Sequence, residues 1–165
     1  MEKHRETVAK GLSSYLGIPV IRSDQNSTPP PYPYISYTIT TIEHNSGTWG
    51  EYDDGKLRKP FYLTWSIKAL SESWSESISL AHKAKAWLDY GGKMFLSDNG
   101  VTVQSVGNVA DRSSFLTVEY EYSYGFDAVF WCMDEMDNPI VESGETIESV
   151  VINDEINLVR EEPKN

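Results

Sequence analysis

The chain has 165 residues and a formal net charge of −11 at pH 7, with 39% hydrophobic and 12% aromatic residues. This amount of apolar material suits the core of one ordinary domain and excludes global disorder. The acidic balance disfavours gripping nucleic-acid phosphates or an anionic membrane, because both attract basic surfaces. DNA can still pass such a protein, since like charge repels phosphate.

The single cysteine, Cys132, excludes an internal disulfide and a cysteine-based zinc site. The first six residues lack the apolar segment of a signal peptide. No apolar run approaches the ~18 residues of a membrane span. We therefore expect a protein made in a reducing cytoplasm and without a membrane partner.

The acidic residues are concentrated near the C-terminus. Residues 134–165 contain ten acidic and two basic residues, whereas residues 1–133 contain 15 and 12. We divide the chain into a folded body, residues 1–133, and an acidic extension, residues 134–165. The extension also carries apolar positions that suit a short strand on a partner, and a mostly solvated tail is the alternative.

The first elements are a helix, a connector and a strand. Residues 2–16 place their apolar side chains on one helical stripe, and Gly17 is the expected end. Residues 24–33 are polar and rich in proline, as in a stiff extended connector. From Tyr34 to Glu43 apolar and polar residues alternate, which predicts a strand.

A long polar segment, residues 44–59, separates this strand from a second one, Phe61 to Leu70. Sixteen residues are more than a hairpin needs, so we predict a loop. The loop mixes aromatic side chains with both signs of charge, as protein-contact surfaces do. A loop without a partner is the alternative. The candidate partner-binding residues are Trp49, Tyr52, Asp53, Asp54, Lys56 and Arg58.

A second helix is predicted from Trp74 to Tyr90. It is preceded by Ser73, which has the spacing of a capping box with Glu76, and followed by two glycines. Its apolar arc covers about 180°, whereas one sheet face needs only about 100°. The surplus flank is a candidate contact with another subunit, and a partly exposed tryptophan is the alternative. The candidate interface residues are Leu80 and Trp87.

The remaining elements are predicted as strands. Met94–Leu96 and Val101–Val106 flank an Asn-Gly pair, which is a strong hairpin signal. Phe115–Tyr124 and Phe126–Met133 are two further runs, with a bend or bulge between them at Gly125. The order of helix, strands, helix and strands predicts an α+β fold. We expect a mainly antiparallel sheet with two helices packed on one face.

The search for catalytic groups gives no active site. Cys132 lies in an apolar run without a base, which favours a buried thiol. Glu119 and Glu121 share one strand face, which suggests the polar face of a sheet, whereas glycosidase carboxylates flank a cleft. A metal site at His44 is conceivable, but no ligand spacing supports it. The histidines are dispersed over a helix start, a loop and a helix flank: His4, His44 and His82. We therefore expect no enzyme, cofactor or metal.

Several segments together resemble a known family. They are Pro33-Tyr34-Ile35-Ser36-Tyr37, the long loop, Phe61-Tyr62-Leu63-Thr64-Trp65-Ser66, the helix from Ser73, Glu119-Tyr120-Glu121-Tyr122 and Tyr124-Gly125-Phe126-Asp127. Over roughly residues 1–133, the chain resembles the neck and tail-terminator proteins of tailed bacteriophages.

The resemblance implies a structural virion protein, made in the host cytoplasm, whose copies assemble into a ring, usually a hexamer. Such a ring caps the tail tube, joins it to the head-completion or connector protein, and lets DNA pass without sequence-specific binding. Glu119 and Glu121 then become candidates for the lumen. Two alternatives stay open: a ligand-binding protein or enzyme that uses the sheet face and loop 44–59, and an acidic adaptor or inhibitor.

Overall fold

The computed structural model describes residues 2–24, 28–44, 51–53, 56–115 and 120–137. The helices are α1 (Glu2–Leu16), α2 (Trp74–Ala86) and α3 (Lys93–Asp98), and a π-helical turn, Trp87–Gly91, lies between α2 and α3. The strands are β1 (Val20–Arg22), β2 (Tyr34–His44), β3 (Glu51–Asp53), β4 (Lys56–Ser71), β5 (Val101–Val106), β6 (Ala110–Asp111), β7 (Ser114–Phe115) and β8 (Tyr120–Asp137).

One mixed sheet with helices on one face forms the fold, which confirms the predicted α+β class. The main strand order is β1-β2-β4-β8-β5, with β3 beside β4 and with β6 and β7 beside β8. Only the pair β1–β2 is parallel among the described pairs. Helix α1 has the predicted bounds and ends at Gly17, whose φ of +69° favours glycine.

The core lies between the helices and one face of β4 and β8. Alternate residues of these strands are almost fully buried: Phe61, Leu63, Trp65, Ile67 and Ala69 on β4, and Phe126, Ala128, Phe130 and Cys132 on β8. Trp65 is the largest of them, and it stacks on Tyr37 with ring centroids 4.1 Å apart. Burying each large apolar side chain contributes about 1.5–3 kcal/mol, so this face accounts for much of the stability.

The predicted strand Met94–Leu96 is wrong, because these residues belong to α3. The second predicted helix is also shorter than expected, since its α-helical part ends at Ala86. The side-chain Nδ2 of Asn99 donates to the carbonyl oxygen of Phe95 over 2.8 Å, and Gly100 has a φ of +76°. The Asn-Gly pair thus closes a helix where a hairpin was predicted.

The predicted strand from Phe115 to Tyr124 is interrupted. Ser114 and Phe115 pair antiparallel with Glu121 and Tyr120, so the two ends of the predicted strand run in opposite directions. Glu119 lies in this interval, outside the described residues.

No bulge breaks the pairing of β4 with β8 at Gly125, which lies opposite Lys68. A Cβ at this glycine would lie 2.2 Å from the carbonyl oxygen of Ile67. Gly125 is therefore required by a close approach of two backbones, and the predicted bulge is wrong.

The predicted loop 44–59 also contains strand residues. Strand β3 pairs with the beginning of β4, so that Asp53 lies opposite Lys56 and Glu51 opposite Arg58. The two residues between these strands are Asp-Gly, a hairpin signal within the sequence. Strand β8 continues past residue 133 to Asp137, so the predicted division at 133 and 134 falls inside a strand. The division of the chain into a folded body and an acidic extension stays a prediction.

Candidate assembly surfaces

The first candidate surface is the arm, which we define as β3 together with residues 56–60 of β4 and residues 133–137 of β8. Arg58 donates from Nε to Oε1 of Glu135 over 3.1 Å, and Nζ of Lys56 lies 3.6 Å from Oε2 of the same carboxylate. All three side chains are about half exposed. Such exposed pairs contribute about 1 kcal/mol or less, so they order the arm more than they stabilise it.

The arm contains part of the predicted partner-binding set. Lys56 and Arg58 lie in a strand, while Tyr52 and Asp53 lie in β3 with side chains outside the described part. Trp49 and Asp54 lie outside the described residues altogether. Sequence reasoning missed Glu135, because its pairing depends on the register between β4 and β8.

The second surface is the open sheet face, opposite the helices. Arg112 lies across it and donates to the hydroxyl of Ser66 and, over 2.9 Å, to the carboxylate of Asp127. Glu121 accepts a hydrogen bond of 2.5 Å from the hydroxyl of Tyr32. Glu121 thus lies on the open sheet face, and its role in a lumen stays a prediction.

The open sheet face carries both signs of charge. By register, its described acidic side chains are Glu43, Glu121, Asp127 and Glu135, and its basic ones are Lys56, Arg58, Lys68 and Arg112. The described part of this face therefore carries four carboxylates and four cations. The net charge of −11 does not come from this part of the molecule.

The predicted interface residues are buried within the chain's own core. Leu80 is 8% and Trp87 6% exposed, so the argument from a surplus exposed flank was wrong. Helix α1 covers this flank: a Cβ at Gly11 would lie 2.6 Å from Cη2 of Trp87. Gly92 also lies close to the indole, because a Cβ there would be 2.4 Å from Cε2.

Two exposed aromatic side chains lie next to this tryptophan, and two further exposed residues follow it on the π-helical turn and on α3. Tyr15 stacks on Trp87 at 6.2 Å between ring centroids, and Phe95 lies 6.3 Å from it. We call four exposed residues the helical patch: Tyr15 (54% exposed), Tyr90 (82%), Met94 (78%) and Phe95 (46%). A hollow of about 390 Å³ separates α1 from α3 there, with Trp87 in its lining.

The last surface is the edge groove, between α1 and strands β1 and β2, with a volume of about 410 Å³. Ile39 and the 46% exposed Ile42 provide its apolar part. The rest of its lining is mostly charged: Glu2, Arg5, Arg22, Asp24 and Thr38. Arg22 pairs with Asp24, and Arg5 donates to Glu2 over 2.8 Å, so the rim charges are satisfied within the chain.

Two titratable groups of the described core have pKa values shifted by burial. Burial raises the pKa of Cys132 to about 12, which keeps the thiol protonated at neutral pH. His4 stacks on Phe61, and its Nε2 lies 2.9 Å from the carbonyl oxygen of Met133. Burial is also the main reason that the pKa of His4 is lowered.

The described residues contain neither a metal-binding cluster nor a helix suited to a membrane. No group of three or more His, Cys, Asp or Glu side chains within them could hold a metal ion. Among the helices of that part, none is both long and apolar enough to cross a membrane. The side chain of His44, considered for a metal site, lies outside the described part.

The prominent features of this fold are surfaces suited to protein contacts, which is the character of an assembly subunit. The phage neck terminator protein family matches residues 6–160 of the chain. The chain therefore belongs to this family and is a structural protein of the phage virion neck. The match covers most of the acidic extension as well as the folded body. No curated protein matches the chain.

Proposed function

We propose that copies of this chain form a closed ring at the end of the tail, the hexamer that the resemblance implies. This ring terminates the tail tube and joins it to the head connector. Membership of the neck terminator family is the observation that carries this proposal. The exposed helical patch and the half-exposed charges of the arm support it, because a ring subunit must contact both its neighbours and other proteins. The chain acts here as a structural element, without catalysis and without a cofactor.

DNA passes through the ring without being bound in a sequence-specific manner. The net charge of −11 supports this part of the proposal, since an acidic ring repels the phosphates of a duplex. Glu119 and Glu121 are the proposed lumen residues. The paired charges of the open sheet face add no excess of basic groups that could hold the duplex.

The arm contacts the tail tube or the connector protein. Its half-exposed Lys56 and Arg58 place two charged side chains at the rim of an interface, where polar and charged groups are common. The neighbouring residues complete the proposed contact: Trp49, Tyr52, Asp53 and Asp54.

Ring formation is tested with purified protein, alone and mixed with isolated tail tubes, by native mass spectrometry and negative-stain electron microscopy. We expect closed rings of identical copies, at least at the tube ends. A chain that binds tube ends as a single copy, or leaves them uncapped, contradicts the proposal.

The arm is tested by changing Lys56 and Arg58 together to Glu. The variant should stay folded, because the ion pairs that it loses with Glu135 and the like charges that it places beside this carboxylate are half exposed to solvent. Joining of heads to tails in a complementation assay should fail. Lys83→Glu, an exposed charge reversal on α2, is the control and should join normally. Normal joining by the arm variant excludes these two residues from the contact.

A further inference from the structure

We propose that the helical patch of one copy docks into the edge groove of the next copy, so that these two surfaces form the contact between ring subunits. This inference rests on the proposed ring and adds where its subunits meet. The proposed interface consists of exposed residues, which a neighbouring subunit can reach, whereas the predicted interface residues Leu80 and Trp87 are buried in the core.

The exposed area of the helical patch is large enough to matter. A large apolar side chain offers about 200 Å², so the exposed fractions of the four residues amount to about 500 Å². This lies in the upper part of the range for the largest apolar patch on a monomer, about 300–600 Å². It also supplies more than half of the ~800 Å² that each partner buries in a standard interface.

The composition and support of the patch suit a protein interface. Tyrosine, phenylalanine and methionine are the types enriched at interface centres. Tyr15 and Phe95 pack against Trp87, which is 6% exposed and itself packs closely against Gly11 and Gly92. Side chains ordered in this way lose little conformational entropy on binding.

The two surfaces lie on opposite faces of α1. Glu2 and Arg5 line the edge groove, whereas Lys10, Gly11, Ser14 and Tyr15 line the hollow at the helical patch. At 3.6 residues per turn, the centres of these two sets are about 180° apart around the helix. A ring requires two different patches on each subunit, facing in different directions.

The edge groove can receive the side chains of the patch. Ile39 and Ile42 provide apolar contact, and the surrounding charges are already paired within the chain. Tyr90 is the most exposed member of the patch, with a ring for the apolar part and a hydroxyl for the charged rim.

Cysteine cross-linking tests this contact, and the protein suits the method because its own Cys132 is buried and protonated. The variant Tyr90→Cys with Ile42→Cys is assembled on tail tubes and treated with a short bismaleimide. We expect a ladder of covalent oligomers up to the full ring. Each single variant should give no ladder. The control pair, Tyr90→Cys with Ser79→Cys, should also give none; Ser79 is an exposed residue of α2 outside the proposed contact.

The outcomes separate the contact from the ring. Rings seen by electron microscopy without a ladder from the Tyr90 and Ile42 pair overturn the inference and leave the ring standing. Absence of rings from the wild-type chain overturns the proposed function itself. As a second measurement, Tyr90→Glu with Met94→Glu should stay folded and lose ring formation, whereas rings of this variant count against the contact.

Discussion

Replacing Gly92 with Ala should destabilise the protein, although the backbone of this residue suits alanine. Its φ of −93° and ψ of −9° are ordinary for any residue, so no backbone strain arises. The difficulty is steric, since a Cβ there would lie 2.4 to 2.6 Å from three atoms of the Trp87 indole. The ring is also confined by α1, since a Cβ at Gly11 would lie 2.6 Å from Cη2 of the same indole.

The expected magnitude follows from two opposing effects. Gly→Ala stabilises by about 0.4–1 kcal/mol through the unfolded chain when the native backbone permits it. Overpacking a core costs about 1–3 kcal/mol. We therefore expect Gly92→Ala to lower the free energy of unfolding by about 1–2 kcal/mol.

The neighbouring glycine is a matched control. A Cβ at Gly91 would lie 3.6 Å from Cδ1 of Trp87, an ordinary contact distance. Urea unfolding followed by circular dichroism should show Gly91→Ala as neutral or slightly stabilised. Combining Gly92→Ala with Trp87→Phe should cost less than the two single changes added together, because the smaller ring makes room. Equal stability of the two alanine variants would refute this account of the tryptophan's packing.

Three further predictions concern the core. Gly125→Ala should cost about 3 kcal/mol or more in urea unfolding, because the clash is with a backbone carbonyl that cannot rotate away, and a loss below 1 kcal/mol would contradict this. Cys132, with its pKa raised to about 12, should resist iodoacetamide at pH 8 in the folded protein and react after unfolding, so rapid native labelling would show that it is accessible. The pKa of His4 is lowered mainly by burial and then by the N-terminal charge, with Asp134 opposing. The contribution of the neutral His4 to the free energy of unfolding should therefore be complete above about pH 6.5. It should decline as the pH falls towards the folded pKa, by at most about 1.4 kcal/mol per pH unit. His4→Gln should remove that part of the pH dependence, and an unchanged pH profile would exclude His4 as its source.

The elements that could be predicted were those with a complete local pattern. Helix α1 has an apolar stripe and a glycine end, and β4 alternates over many residues, so both were found. Helix α3 was missed because its six residues show no helical period and the Asn-Gly that follows serves helix ends and hairpins alike. Residues 56–59 were missed because a charged segment looks like a loop until its partner strand is known.

The candidate surfaces were harder to predict than the fold, because they depend on contacts between distant parts of the chain. The apolar arc of the second helix suggested an exposed Trp87, yet Gly11 on α1 allows that helix to cover it. In the same way, the pairing of Arg58 with Glu135 joins residues 77 positions apart. The sequence contains the residues of each surface but not the register that assembles them.

The most direct test of the central claim is a cryo-electron microscopy reconstruction of the neck of a virion that contains this chain. We expect a closed ring of identical copies between the tail tube and the head connector, with the DNA path through its centre. Finding the chain elsewhere in the particle, or as isolated copies that do not close into a ring, would contradict the account.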